Sequence, residues 1–260
     1  MPKLYFKGVE IYYSDQGEGS AVVLLHGFLE ASWMWTDIIP NLIKSHRVIC
    51  IDLLGHGKSE CVGYVHSMDE MAESVEAVLK HLRLRKVNVI GHSMGGYVAL
   101  ALAERNPDIL RSLVLYQSTA RADSEDKKRD RDRVIEAVKL NAKSFVRKSI
   151  PMLFRPVNRK RFKVDITAVK EKASQTSTRG IIAALAGMRD RPNRELLLKF
   201  PPYPVHIIAG DKDPRISYQE SKELSEISEY VTLHTINGSG HMSYIEDLDA
   251  TIEMIQRSLK

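Results

Sequence analysis

Short β-branched apolar runs alternate with amphipathic stretches along most of the chain, and this alternation constrains the fold more than any other feature. Strands are expected over Val9–Tyr13, Ala21–His26, Arg47–Ile51, Lys86–Ile90 and Leu110–Tyr116. After the first, these runs are nearly continuously apolar, as strands covered on both faces must be. Helices are expected between them, over Ser32–Lys44, Ser67–Leu82 and Met94–Arg105. The last ends at Asn106-Pro107, because proline cannot continue a helix. The pattern returns as strand Val205–Ala209, helix Ser217–Ile227, strand Tyr230–Ile236 and helix Ser243–Leu259. Such an order implies an α/β class: right-handed crossovers, a mostly parallel central sheet, and helices on both faces.

The alternation breaks between about Arg121 and Phe200. Helices are expected there over Arg133–Arg147, Ile166–Thr176 and Gly180–Arg189, with no strand among them. The break begins after one core strand and ends at Pro201-Pro202, just before the next. The expected organisation is a core of residues 1–120 and 201–260 carrying a helical cap insertion, 121–200.

Composition narrows the class. At 260 residues, 43% hydrophobic and 27% charged, the chain is long enough to bury a core without disulfides or a structural metal. Two cysteines, Cys50 and Cys61, form no framework and suggest a reducing compartment, so a cytoplasmic location is expected. The first residues lack a signal-peptide pattern, and the longest apolar runs are too short to span a bilayer, which weighs against secreted and membrane classes. Basic charge is concentrated: residues 121–163 hold 15 Lys and Arg against 6 Asp and Glu. Acidic residues are interleaved and only Phe145, Phe154 and Phe162 offer stacking, so a solvated helical face is preferred to a nucleic-acid surface.

The most informative stretch is Lys86–Ala101, KVNVIGHSMGGYVALA: strand, then Gly91-His92-Ser93-Met94-Gly95, then helix. A serine on so sharp a turn has strained dihedrals, and its neighbours two residues away must lack side chains for the backbone to close. Gly91 and Gly95 meet that need. Ser93 Oγ would then stand exposed above the sheet, with the Met94 N–H facing a developing oxyanion. The plainer alternative is a glycine-rich helix start with a capping serine.

A serine hydroxyl needs a base to act as a nucleophile, and the base needs an orienting carboxylate. Among nine histidines, His241 is best placed: it follows Gly238-Ser239-Gly240 after a strand and precedes the last helix. Such a loop lies at the carboxyl edge of the sheet, where Ser93 is also expected. His92 adjoins Ser93, but the turn directs its side chain away. Of the two acids closing the strand in IIAGDKDPRIS, Asp213 lies further out and is preferred as the orienting carboxylate, with Asp211 as a turn or capping residue. His26-Gly27-Phe28 ends an earlier strand, where the Phe28 N–H can turn toward the serine as a second oxyanion donor. Asp52–Ser59, DLLGHGKS, reads as a tight loop packed beside the site. His26, His56 and Asp52 lack a recognised ligand spacing, so no metal is expected.

With HGF (26–28), DLLGHGKS (52–59), GHSMGG (91–96), GDKD (210–213) and GSGH (238–241) in this order, the chain resembles the α/β-hydrolase superfamily, specifically its small, capped, esterase-like branch. The resemblance implies a serine esterase acting through Ser93, His241 and Asp213 and an acyl-enzyme, on a small-molecule ester or lactone, with no cofactor. Haloalkane dehalogenases and epoxide hydrolases use aspartate at the position of Ser93. Carbon–carbon bond hydrolases usually carry a Gly-Pro-Gly-like segment where this chain has Phe28-Leu29-Glu30. Lactonases, including enol-lactonases, and perhydrolases share nearly the same motifs, and a non-catalytic receptor module would often have lost the histidine. An apolar pocket is expected from Leu29, Trp35, Met152, Phe154 and Met242, near the motifs and the IPMLF segment; the plainer alternative is that Trp35 and IPMLF are simply core.

Overall fold

The computed structural model describes residues 2–260. Its strands are β1 (Lys3–Phe6), β2 (Val9–Gln16), β3 (Ser20–Leu25), β4 (His46–Ile51), β5 (Val87–His92), β6 (Leu110–Tyr116), β7 (Val205–Gly210) and β8 (Val231–Ile236). Its helices are α1 (Ile39–Leu42), α2 (Met68–His81), α3 (Met94–Arg105), α4 (Glu125–Ser149), α5 (Lys163–Ala173), α6 (Thr178–Arg189), α7 (Tyr218–Ser225), α8 (Ser243–Glu246) and α9 (Leu248–Ser258). One eight-stranded sheet runs in the order β1-β2-β4-β3-β5-β6-β7-β8. β1 and β2 pair antiparallel, as do β2 and β4, and every later pairing is parallel. Every residue of β5 is buried, the signature of a strand covered by helices on both faces.

Strand order reverses between β3 and β5. The loops leaving these two strands therefore diverge at their carboxyl ends, and open parallel sheets form their clefts at such a point. Gly27 follows β3 there, and Ser93 follows β5.

Three expected elements differ in form. The stretch 32–44 is not one helix but a 3-10 turn at Ser32–Trp35 followed by α1, with Pro40 in the first turn of α1. Proline has no N–H and clashes with the preceding turn, so a helix cannot run through it. The stretch 243–259 breaks at Asp247, whose backbone leaves the helical region (φ −155°, ψ 78°) and whose side chain accepts from Ala250 N to start α9. The first helix after β6 is longer than expected, running from 125 to 149, and kinks where Asn141 leaves helical geometry. β1 has no counterpart in the sequence reading.

Between β6 and β7 the chain is helical, with no strand. Acid–base pairs line the exposed face of α4 at i,i+3 spacing: Glu125–Lys128, Asp126–Arg129, Asp130–Arg133 and Glu136–Lys139. Several contacts fasten this segment to the rest of the chain, among them Arg194, whose guanidinium pairs with Asp69 and Glu104. At α6, His66 N donates to Ala183 O (3.0 Å), and the backbones of Gly180 and Gly55 are in direct contact. At residues 153–158, the chain meets the loop after β8, described below. No helix among the described residues is long and apolar enough to cross a membrane.

Candidate active site

The turn after β5 has the geometry its glycines allow. Ser93 sits at φ 50°, ψ −114°, a left-handed conformation costly for any residue with a side chain. A Cβ on Gly91 would overlap the Gly95 carbonyl, and one on Gly95 would overlap the Leu25 carbonyl, so both positions demand glycine. Ser93 N donates to Tyr116 O (2.9 Å), and Ser93 O accepts from Gly96 N (2.9 Å) and Ser118 Oγ (2.7 Å). These bonds hold the strained residue in place.

The structure brings Ser93, His241 and Asp213 together. His241 Nε2 lies 2.9 Å from Ser93 Oγ, and His241 Nδ1 lies 2.8 Å from Asp213 Oδ2. A carboxylate only accepts, so Nδ1 carries the hydrogen and Nε2 is left to accept from the serine hydroxyl. Asp213 Oδ1 accepts from Arg215 N (2.7 Å) and Ile216 N (3.1 Å), which fixes the rotation of the carboxylate. The side chains of His241 and Asp213 are nearly excluded from solvent, and Ser93 is half-buried. Asp211 points elsewhere and accepts from Gly238 N (2.6 Å), tying the β7 loop to the β8 loop.

Met94 N opens α3, where the helix offers its N–H no carbonyl of its own. Phe28 follows Gly27 in a turn closed by Glu30 N donating to Gly27 O (3.3 Å). His26 Nε2 accepts from Leu53 N (2.9 Å) and its Nδ1 donates to Gly27 O (2.8 Å), so the ring is neutral; burial lowers its pKa. Burial likewise pushes His56 down to about 3. Asp52 Oδ1 accepts from Ser32 N (2.7 Å) and Oδ2 from Lys58 N (2.9 Å), closing the DLLGHGKS loop. Among the described residues no cluster of three or more His, Cys, Asp or Glu could hold a metal ion.

The residues expected to line a pocket separate. Leu29, Phe154 and Met242 are buried beside the loops that carry the site. Trp35 is fully buried with its ring 6.1 Å from that of Tyr116, so it is core. Met152 is 56% exposed, because the 3-10 turn at Ile150–Leu153 places it on the outer side of a segment anchored by its buried neighbours Ile150 and Phe154.

Several neighbours of the site carry no motif and escaped the sequence reading. Glu30 is fully buried and accepts from Gly27 N (2.8 Å) and Tyr244 OH (2.9 Å), with His92 Nδ1 at 2.8 Å. The Gln117 side chain donates to Gly240 O, and Tyr116 OH lies 2.5 Å from Ser243 Oγ. Glu246 accepts from Gly240 N (3.1 Å), Arg155 N (3.2 Å) and Asn158 Nδ2 (2.6 Å), and His241 N donates to Leu153 O (2.9 Å). The loop bearing His241 is thus built partly from residues 153–158. The only signal in the sequence was the closeness of Glu30 and Glu246 to the HGF and GSGH segments.

The sequence model for the alpha/beta hydrolase fold matches residues 20–248. The structure is similar to that of a thermophilic esterase from Thermogutta terrifontis, solved with malate bound (TM-score 0.94, 29% identity, 100% of this chain and 98% of that chain). It is also similar to the enol-lactonase from Burkholderia xenovorans LB400 (TM-score 0.91, 22% identity, 99% of both chains), a likeness of fold. In sequence it is 24% identical over 266 residues to 2-hydroxy-6-oxo-6-(2'-aminophenyl)hexa-2,4-dienoic acid hydrolase of Metapseudomonas resinovorans, covering 96% of this chain and 89% of that protein. Two further curated relatives are matched over only 42% and 33% of their own length. The chain belongs to the alpha/beta hydrolase fold family.

Proposed function

We propose that this protein is a serine hydrolase that cleaves small carboxylic esters, lactones included, through an acyl-enzyme. The observation that carries the reading is the unbroken line from Asp213 Oδ2 through the His241 ring to Ser93 Oγ, with both hydrogen bonds under 3 Å. Its chemistry follows from the donors and acceptors. Ser93 Oγ adds to the carbonyl carbon while its proton passes to His241 Nε2. Asp213 holds the imidazolium that forms. The N–H groups of Phe28 and Met94 receive the oxyanion. The intermediate collapses, the carbon–oxygen bond to the alcohol breaks, and the His241 proton leaves with the alcohol. Water then adds to the acyl carbon, giving a proton to His241; the carbon–Oγ bond breaks, the acid leaves, and His241 returns the proton to Ser93 Oγ.

Within the family, the whole-length likeness to an esterase at 29% identity favours the ester reading. The helical segment 121–200 serves in this reading as a cap, with Leu29, Phe154 and Met242 as apolar wall. Hydrolysis of p-nitrophenyl butyrate by wild type and by Ser93→Ala tests the proposal. The substitution is expected to reduce kcat by about 10⁴-fold or more. Equal rates in the two proteins would defeat it. A panel of esters, lactones and carbon–carbon substrates run on one preparation assigns the bond class.

A further inference from the structure

Behind the line of Ser93, His241 and Asp213 lies a second buried pair that the reaction above does not use. His92 is fully buried and both its ring nitrogens face acceptors: Nδ1 the Glu30 carboxylate at 2.8 Å, and Nε2 the His241 carbonyl at 3.1 Å. Gly27 N and Tyr244 OH donate to Glu30 and favour its carboxylate form. Facing that carboxylate and a carbonyl, both ring nitrogens carry hydrogen, and the ring is an imidazolium. Burial opposes charge on both groups, yet each holds the other ionised. His92 is raised above the ordinary histidine range by the charge and hydrogen bond of Glu30, and Glu30 is held below the ordinary carboxylate range by His92 and by its other donors. The rings of Tyr116, His241 and Tyr244 surround the imidazolium at 4.9, 5.1 and 5.9 Å, and Asp213 and His26 lie farther out.

A buried ion pair is weak evidence for stability, because desolvating two charges costs about as much as their attraction returns. Its geometry gives it another use. The pair touches all three loops that meet at Ser93. It holds the Gly27 N–H, next to the Phe28 oxyanion donor; it is continuous with the turn at Ser93 itself; and it grips the backbone carbonyl of His241. The fit at Gly27 is tight: a Cβ there would come 2.5 Å from Glu30 Oε2 and 2.7 Å from His92 Nδ1.

We propose that Glu30 and His92 are positioning residues, a charged strut that fixes the oxyanion loop and the histidine loop at one spacing about Ser93. This inference rests on the serine-hydrolase reading. Neither residue reaches the substrate, so loss of the strut lowers kcat and leaves KM nearly unchanged. A misplacement of about 1 Å in such an arrangement costs on the order of 10²-fold in rate.

The test compares Glu30→Ala, Glu30→Gln and His92→Gln with wild type on p-nitrophenyl butyrate, each rate divided by the fraction of protein that a fluorophosphonate labels; Ser93→Ala, which takes no label, is assayed beside them per total protein. Dividing by that fraction removes any effect of partial unfolding. Glu30→Ala is expected to lower kcat per labelled site by about 10²-fold at nearly constant KM. Glu30→Gln, which can still accept from Gly27 and the imidazole but carries no charge, recovers about a tenfold part of that loss and stays about tenfold below wild type. If Glu30→Ala yields no folded protein, Glu30→Gln and His92→Gln decide: a kcat per labelled site below wild type in both supports the strut. Wild-type kcat per labelled site in any folded variant lacking the carboxylate or the imidazole overturns it. If Ser93→Ala itself retains activity, the underlying hydrolase reading fails instead, so the two failures are told apart.

Discussion

Gly187 in α6 lies against the carbonyl of His66 so closely that a Cβ at 187 would overlap the oxygen. One turn earlier, Ala183 O accepts from His66 N, so helix and loop share one backbone contact surface. Helix propensity alone makes alanine about 1 kcal/mol better than glycine in a helix. Gly187→Ala is nevertheless expected to destabilise the protein by about 1–3 kcal/mol, because the clash is with main chain that cannot rotate away. Urea unfolding of the two proteins gives the sign directly, and a more stable variant would show that α6 can lift off the His66 loop at no cost.

Glu246 makes another fastening. Glu246→Ala leaves Gly240 N–H and Arg155 N–H without an acceptor and leaves Asn158 Nδ2 only the Gly238 carbonyl. Each orphaned buried group costs about 1–3 kcal/mol, so a loss of at least about 2 kcal/mol is expected. Glu246→Gln keeps one acceptor oxygen and should lose less than half as much. Because these bonds shape the loop of His241, ester hydrolysis by the alanine variant should fall before global unfolding does. Parallel activity and circular-dichroism melts check that order.

His56 sets a pH dependence of stability. Burial lowers its pKa to about 3 in the folded protein, against about 6.5 in an unfolded chain. Below pH 6.5 the unfolded state takes up a proton that the folded state refuses, so stability is lost as pH falls toward 3. The slope contributed is up to about 1.4 kcal/mol per pH unit. His56→Gln removes it. Urea titrations at pH 6.5 and 4.5 should show the variant losing about 2 kcal/mol less than wild type across that interval, and equal losses would place the acid sensitivity elsewhere.

Asp213→Asn tests the orienting carboxylate. The amide can donate to Nδ1 and so favour the tautomer with hydrogen on Nε2, which cannot accept from Ser93. A fall in kcat of about 10⁴-fold with little change in fold is expected. A mild effect, under about tenfold, would mean that another group orients His241.

What the sequence disclosed follows from where information is local. The turn at Ser93 was legible because strand, glycines and helix lie within sixteen consecutive residues, and the steric need for Gly91 and Gly95 can be argued from a turn alone. The parallel sheet was legible because β3 to β7 are apolar on both faces. β1 was not: in KLYF exposed and half-buried residues alternate on an edge strand, and the run is only four residues long. The breaks at Pro40 and Asp247 were missed because amphipathic periodicity continues across both, although proline and a capping aspartate were in view. Glu30 could not be found from the sequence. Its partners His92 and Tyr244 lie 62 and 214 residues away, and an acid buried by tertiary folding looks like any loop glutamate. Trp35 shows the converse: its place beside the HGF segment suggested the pocket, whereas its ring packs on Tyr116 inside the core.

The central claim is that Ser93 is a nucleophile activated by His241. A fluorophosphonate tests it most directly, since attack by Oγ forms a phosphorus–oxygen bond, expels fluoride and passes the serine proton to the imidazole. Intact-mass and peptide mapping should find one phosphonyl group per chain, on Ser93, absent in Ser93→Ala and formed at least about 10²-fold more slowly in His241→Gln. An unlabelled protein that still hydrolyses esters, or a label carried on any other residue, would contradict the account.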